Sequence, residues 1–235
     1  MNTTHMNQNA IAEENARFMS GVYKWMTFGI LLTGMVSYYT AQSEAAIQLI
    51  LGNKIIFYGL IIAELAAVIF LSARIQKMSP TTATIVYLGY ATLTGLTFSV
   101  IFLAYTQESI QSAFFLTAFS FAGLSAFGYF TKRDLGPIGT FCHMGLWGLI
   151  GFALISMFFP SLMSSTNSKI FGIAGVLIFS GLTAYDTQKI KNSNIIGNEG
   201  TAEDHKETIM GALKLYLDFI NLFLMILRLM GNRRQ

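Results

Sequence analysis

Along this chain, long apolar runs alternate with short polar breaks. The runs fall at residues 22–42, 55–73, 83–105, 110–131, 138–159, 170–187 and 209–230. At about 1.5 Å per helical residue, each is long enough to cross the roughly 30 Å of a bilayer's hydrocarbon core. They are continuously apolar rather than alternating, which is the pattern of helices and not of a membrane barrel. The breaks carry turn residues: "SEAAIQLILGNK", "RIQKMSPTT", "TQES", "KRDLGP", "PSLMSSTNS" and a longer polar stretch at 189–208. The pattern predicts an all-α integral membrane protein with seven transmembrane helices. No linker divides it. The expected layout is a polar cytoplasmic segment at 1–21, one membrane domain at 22–231 and a short basic tail at 232–235.

Composition supports several spans. Of 235 residues, 53% are hydrophobic and only 11% are charged, against about 25% charged in soluble domains. A deficit spread over the whole length calls for several spans rather than one buried core. The formal charge is +3 and the basic residues lie between runs, which leaves no footprint for nucleic acid. Cys142 is the single cysteine, and His5, His143 and His205 are scattered. Neither a disulfide framework nor a metal cluster is therefore expected. No nucleophile-and-base set stands out, so no enzyme and no resident cofactor is expected. The first twenty residues mix Glu13, Glu14 and Arg17 and lack the form of a cleaved signal, so the first run is expected to stay as a span.

An N-terminus in the cytoplasm puts ten of the fifteen basic residues inside, as the positive-inside rule asks. The tail "RLMGNRRQ" is the misfit, because seven full spans leave it outside; a last helix that only partly crosses would remove the conflict. Seven full spans is the reading kept. Gly145, Gly148 and Gly151 of "GLWGLIG", with Gly172 and Gly175, read as positions where helices approach closely.

Few ionisable side chains lie inside the runs: Glu64, His143, Asp186, Lys214, Asp218 and Arg228, with Arg74 at a run's end. A charge at the bilayer centre costs about 2.5–3.5 kcal/mol on insertion scales, so such groups face a bundle interior or a wet cavity. Lys214, Asp218 and Asn221 recur at i, i+4 and i+7 and share one helix face. That stripe suits a helix enclosed by protein. Two readings fit the aspartates. In one, Asp186 sits at the interface beside Lys189, and Asp218 pairs with Lys214 a turn below. In the other, the carboxylates meet across helices. Two charges at about 4 Å repel by about 4 kcal/mol at an effective dielectric near 20, so the pair would share a proton and titrate as a unit. Such a pair senses pH and, when ionised, offers oxygen ligands to Ca²⁺, with a nearby Arg74 competing for it. Glu64 and Arg228 offer a further ion pair. His143 reads as a hydrogen-bonded packing residue, and Lys24, Trp25, Tyr38 and Tyr39 as interface anchors.

The segments "GLTAYDTQKIK" (181–191) and "GALKLYLDFINLFLMILRLMG" (211–231) resemble the two signature segments of the transmembrane Bax inhibitor motif family, also called the Bax inhibitor-1 family. "LSARIQKMSP", "YATLTGLTFSVIF" and "YFTKRDLGPIG" are similar to its bacterial YccA/YbhL-type branch, so the likeness covers nearly everything after about residue 23. The resemblance implies seven helices, with six surrounding the C-terminal one. It implies a pH-sensitive Ca²⁺ leak, a diaspartyl pair falling on Asp186 and Asp218, and a latch arginine falling on Arg74. The death-restraining role of eukaryotic members does not transfer to a bacterial-looking chain.

The first expectation is thus a proton-regulated, passive Ca²⁺ leak in a bacterial inner membrane, with the lipid bilayer, Ca²⁺ and H⁺ as partners. The alternative is a regulator that conducts no ions and binds a membrane-anchored protease or another bilayer partner through residues 1–20 and 189–208. A proton-coupled transporter lacks paired glycine or proline interruptions in matching halves of the chain.

Overall fold

The computed structural model describes residues 8–232 and 234. Residues 1–7 with His5, and Arg233 and Gln235 of the tail, lie outside the described residues. The helices are α1 (Gln8–Gln42), α2 (Glu44–Gly52), α3 (Lys54–Arg74), α4 (Pro80–Ala104), α5 (Gln107–Phe130), α6 (Gly136–Phe158), α7 (Ser165–Ser193) and α8 (Ala202–Met230). Short 3₁₀ turns stand at Ile75–Lys77 and Pro160–Met163. Among the described residues no strand forms.

Each apolar run lies within or close to the bounds of one helix, and polar residues at the breaks set the ends. Thr106 Oγ1 accepts from the Ser109 amide at 3.3 Å to start α5, and Ser79 Oγ accepts from Thr82 at 3.1 Å to start α4. The break "SEAAIQLILGNK" differs from expectation: it is mostly the nine-residue α2. Ser43 Oγ caps it through the Ala46 amide at 3.3 Å, and Asn53 Oδ1 caps α3 through Ile55 at 2.9 Å. The polar stretch at 189–208 is also mostly helical, since α7 runs to Ser193 and α8 begins at Ala202.

Six helices among the described residues are long and apolar enough to cross a membrane: α3, α4, α5, α6, α7 and α8. The stretch 22–42 lies in α1 but falls short of the same measure, because Lys24, Thr27 and Thr33 dilute its apolar residues. Enclosure differs sharply among the six. Within each apolar window, 72% of α8 is buried, against 6% of α3 and of α6. Helix α8 therefore packs against protein, while α3 and α6 turn most of their surface outward.

His205 near the start of α8 meets Thr84 near the start of α4 at 2.9 Å. Beyond the end of α8, the Arg234 amide donates to Ala104 at the end of α4 at 3.1 Å.

The chain forms two compact units, Met1–Val100 with Ile190–Tyr216, and Ile101–Lys189 with Leu217–Gln235. In the first, α1 buries a stripe at helical spacing: Phe18, Val22, Met26, Gly29, Ile30, Thr33 and Ser37. Thr33 Oγ1 donates to the Ala91 carbonyl at 2.8 Å and receives the Tyr216 hydroxyl at 2.7 Å. The Tyr216 ring stands edge-on to Tyr87 and Tyr90, with centroids 6.1 and 5.8 Å away. At the end of this unit that precedes the apolar part of α1, Arg17 grips both carboxylate oxygens of Glu199, at 2.7 and 3.0 Å. That hydrogen bond, aided by charge, holds the Glu199 carboxyl below its usual range.

In the second unit, α5 and α7 touch backbone to backbone. A Cβ on Gly128 would overlap the Ala184 carbonyl oxygen, while one on Gly148 would meet nothing within 4 Å. Of the "GLWGLIG" glycines only Gly145 packs against another helix, at Ile178; Gly148 and Gly151 face open space. Their spacing reads alike because a sequence does not show which way a glycine faces.

Gly128→Ala is expected to lower stability by about 1–3 kcal/mol through overpacking against backbone that cannot yield, read as an earlier melt in detergent. Gly148→Ala should leave the melt unchanged or raise it; equal losses in the two would contradict the packing described. For Glu199 the sign follows from its depressed pKa. The contribution is present above the unfolded value of about 4.3 and is lost as pH falls through the lower folded value. A gap in melting temperature between the wild type and Glu199→Gln is expected at pH 7, narrowing below about pH 4. A gap that stays constant into acid would show that the carboxylate's charge is not what Arg17 holds.

Candidate functional site

Asp218 is 5% exposed, on the most enclosed of the spanning helices. The less buried stripe of α8 runs through Met210, Lys214, Leu217, Asn221, Leu224 and Arg228. Lys214 and Asn221 thus lie along that half-buried stripe, and Asp218 beside it on the covered side. Asn221 donates to the Leu217 carbonyl one turn back, at 2.8 Å. The Cys142 thiol of α6 lies within reach of the Asp218 charge and packs against Gly181 of α7. Helices α6 and α7 therefore meet at Cys142.

Asp186 is half-buried and sits within α7, two turns before its end. Its neighbours in sequence fix it. Thr187 Oγ1 donates to Thr183 at 2.7 Å and receives the Ser125 hydroxyl of α5 at 3.1 Å. Gln188 clamps the α5–α6 connection, accepting from Leu135 N at 2.9 Å and donating to the Arg133 carbonyl at 2.8 Å. With Gly128 lying on Ala184, this face of α7 packs closely on α5.

The level of the two carboxylates follows from the α7–α8 seam. Gly172 packs on Leu229 and Gly175 on Met225, as expected of close-approach glycines, and at the other end Gly211 meets Ile190. These contacts define one antiparallel register. It sets Asp186 about one helical turn, ~5 Å along the axis, from the level of Asp218. Both are oxygen donors in a largely covered setting, the donor type that suits a hard cation such as Ca²⁺.

The other candidates are placed as follows. Arg74 is the last residue of α3 and is exposed. Glu64 is half-buried mid-helix on α3 and accepts a short hydrogen bond from Thr97 of α4. Arg228 lies with its guanidinium 4.9 Å from the centre of the Phe171 ring and a nitrogen 3.6 Å from the Met163 sulfur. His143 is exposed, hydrogen-bonds the Gly139 carbonyl at 2.8 Å and stands edge-on to Tyr185.

Sequence reasoning passed over the hydroxyl cluster of Thr33, Tyr87, Tyr90 and Tyr216. The available signal was tyrosine inside an apolar run, where a buried hydroxyl needs a partner. It also passed over Glu14 and Lys206, which are 8% and 7% exposed. The Gly197 partner of Glu14 and the Gln76 partner of Lys206 lie more than a hundred residues away, and the local Lys206–Glu203 pair at 3.6 Å looks like any exposed helix pair in sequence.

A family model described as inhibitor of apoptosis-promoting Bax1 matches residues 15–235. Inner membrane protein YbhL of Escherichia coli (strain K12) is 48% identical over 220 residues, 92% of each chain. An uncharacterized protein of Borreliella burgdorferi is 41% identical over 218 residues, 93% of each chain. One of Deinococcus radiodurans is 38% identical over 229 residues, 97% of this chain and 96% of its own. Matched over nearly its whole length, and built of helices fit to cross a bilayer, this chain belongs to the Bax inhibitor-1 family of membrane proteins.

Proposed function

We propose that the protein is a pH-regulated Ca²⁺ leak of a bacterial inner membrane, gated at Asp186 and Asp218. The observation that carries this reading is Asp218, an acid 5% exposed on the most enclosed spanning helix, one turn from the level of Asp186. In this reading α1 supplies the seventh span, the other six surround α8, and the N-terminus is cytoplasmic. The inner membrane is taken from the relative named for it. Ca²⁺ is cargo in this reading, met by carboxylate and water and released again. Protonation removes the charge that both attracts the cation and strains the pair, and so shifts the balance of closed and open states. Arg74, the latch implied by the family resemblance, is the cation assigned to compete for the carboxylates. Lys214, Asn221, Glu64 and Arg228 support the polar interior.

The alternative, a regulator of a membrane-anchored protease or similar partner, would use residues 1–20 and 189–208 as its contact surface. It weighs less, since Arg17 and Glu199 from those two stretches already engage each other.

Purified protein in dye-loaded liposomes is expected to admit Ca²⁺ faster than empty vesicles, with a rate that changes up to about tenfold between pH 6 and 8. A one-unit pKa difference between states supplies that factor. Asp186→Asn and Asp218→Asn should each flatten the profile. If both folded variants keep the wild-type response, the diaspartyl gate is wrong. If folded wild type admits no Ca²⁺, the partner-binding alternative becomes the better reading.

A further inference from the structure

Glu14 is a buried acid that the aspartate gate does not use. It lies on α1 ahead of the apolar stretch, and one of its carboxylate oxygens accepts from the Gly197 amide at 2.6 Å. Gly197 has φ of +91° and Gly200 of +79°, backbone that side chains other than glycine's rarely adopt. The α7–α8 connection, residues 194–201, therefore holds a shape in which the Gly197 amide meets the Glu14 carboxylate. Two neighbours reinforce this contact. Asn15 Oδ1 accepts from Asn194 Nδ2 at 3.0 Å, and Arg17 holds Glu199. Within about one turn, α1 thus grips three positions across the connection. A polar cavity of about 120 Å³ opens between them, lined by Glu14, Arg17, Asn194, Glu199, Asp204 and Thr208 among others.

The connection is in turn fixed to the first turn of α8. Thr201 Oγ1 accepts from the Asp204 amide at 3.2 Å, and Asp204 Oδ2 accepts from the Gly200 amide at 2.8 Å. A hold on the connection is therefore a hold on the foot of α8. Lys206, itself buried, adds a tie from its ammonium to the Gln76 carbonyl at 3.2 Å. From this foot α8 runs unbroken to Met230. Asp218 lies sixteen residues beyond Ala202, about 24 Å along the axis.

We propose that residues 8–21 of α1 act as a strap: clasped on the α7–α8 connection they hold the foot of α8, and their release lets α8 shift and so resets Asp218. This rests on the reading of Asp218 as part of a gate. The three ties are polar and sit outside the apolar stretches, where water can replace each of them, whereas the contacts between the spans lie where no water can replace them. The clasp is accordingly the part of this unit that opens at least cost. A continuous helix moves as a body, and shifts of about 1–2 Å are the usual scale of such transitions.

The test is a reversible lock. In the full chain, Asn15→Cys with Asn194→Cys places two thiols where the side chains now hydrogen-bond, and the native Cys142 is buried. Ca²⁺ entry into liposomes is read for the oxidised pair, the reduced pair and Glu14→Ala, with the crosslink verified by mass spectrometry. The strap requires entry to change at least fivefold on oxidation, to return on reduction, and to change in the opposite sense in Glu14→Ala. A complete crosslink with unchanged entry overturns the strap while leaving the leak intact. If the wild type itself admits no Ca²⁺, the leak reading fails on its own, and backbone hydrogen exchange decides the strap. Exchange in Glu14→Ala that rises at least tenfold along α8 past residue 210 supports it. A rise confined to 194–201 overturns it.

Discussion

A polar group inside a bilayer has no water to turn to, and the arrangement of this protein follows from that constraint. Its threonines return their hydroxyl protons to carbonyls one turn back: Thr92 to Leu88, Thr94 to Tyr90, Thr117 to Ala113 and Thr183 to Phe179. The oxygen lone pairs left over then serve neighbouring helices. Tyr216 gives its proton to Thr33, and Ser125 gives its own to Thr187. Hydrogen bonds and close backbone approach bind such helices where the hydrophobic effect cannot, since lipid tails are as apolar as the side chains. Glu64, a carboxylate inside a span, is held on the same terms, by the hydroxyl of Thr97 on the next helix.

Helix α8 is where this constraint bears hardest. It is the most enclosed of the spans, yet it carries Lys214, Asp218, Asn221 and Arg228. Its apolar residues pack on nearly every side, and the polar ones gather on or beside one half-buried stripe. That division lets one helix serve both as the packing core of its surroundings and as the bearer of ionisable groups. It also explains why α7, its antiparallel neighbour, is fixed so firmly on either side of Asp186.

The spans were legible because hydrophobic length is a local property. Each run predicted its helix to within a few residues at most ends, and the polar breaks contained the caps. Helix α2 was hidden because nine residues cannot span a bilayer, and Ser43 and Asn53 read equally well as turn residues. The extension of α7 past Asp186 was missed for a related reason: polarity marks the edge of the lipid and not the end of a helix. The aspartates stood out through their cost in lipid and their flanking segments. Their relative level did not, because it depends on the α7–α8 register set by Gly172 and Gly175. The ties of Glu14 and Arg17 join positions more than 180 residues apart, and no single-sequence pattern connects them.

Helix length has a consequence for the membrane itself. The 21 residues of α3 measure about 31 Å, close to the thickness of the hydrocarbon layer, while the 29 residues of α8 measure about 43 Å. Helix α3 also turns most of its surface outward. A thinner or thicker bilayer therefore acts on α3 first, through tilt or stretching of the surrounding lipid. The enclosed α8 has length to spare at its ends and is shielded from that mismatch. Lipid thickness would then act on this protein first through its exposed helices.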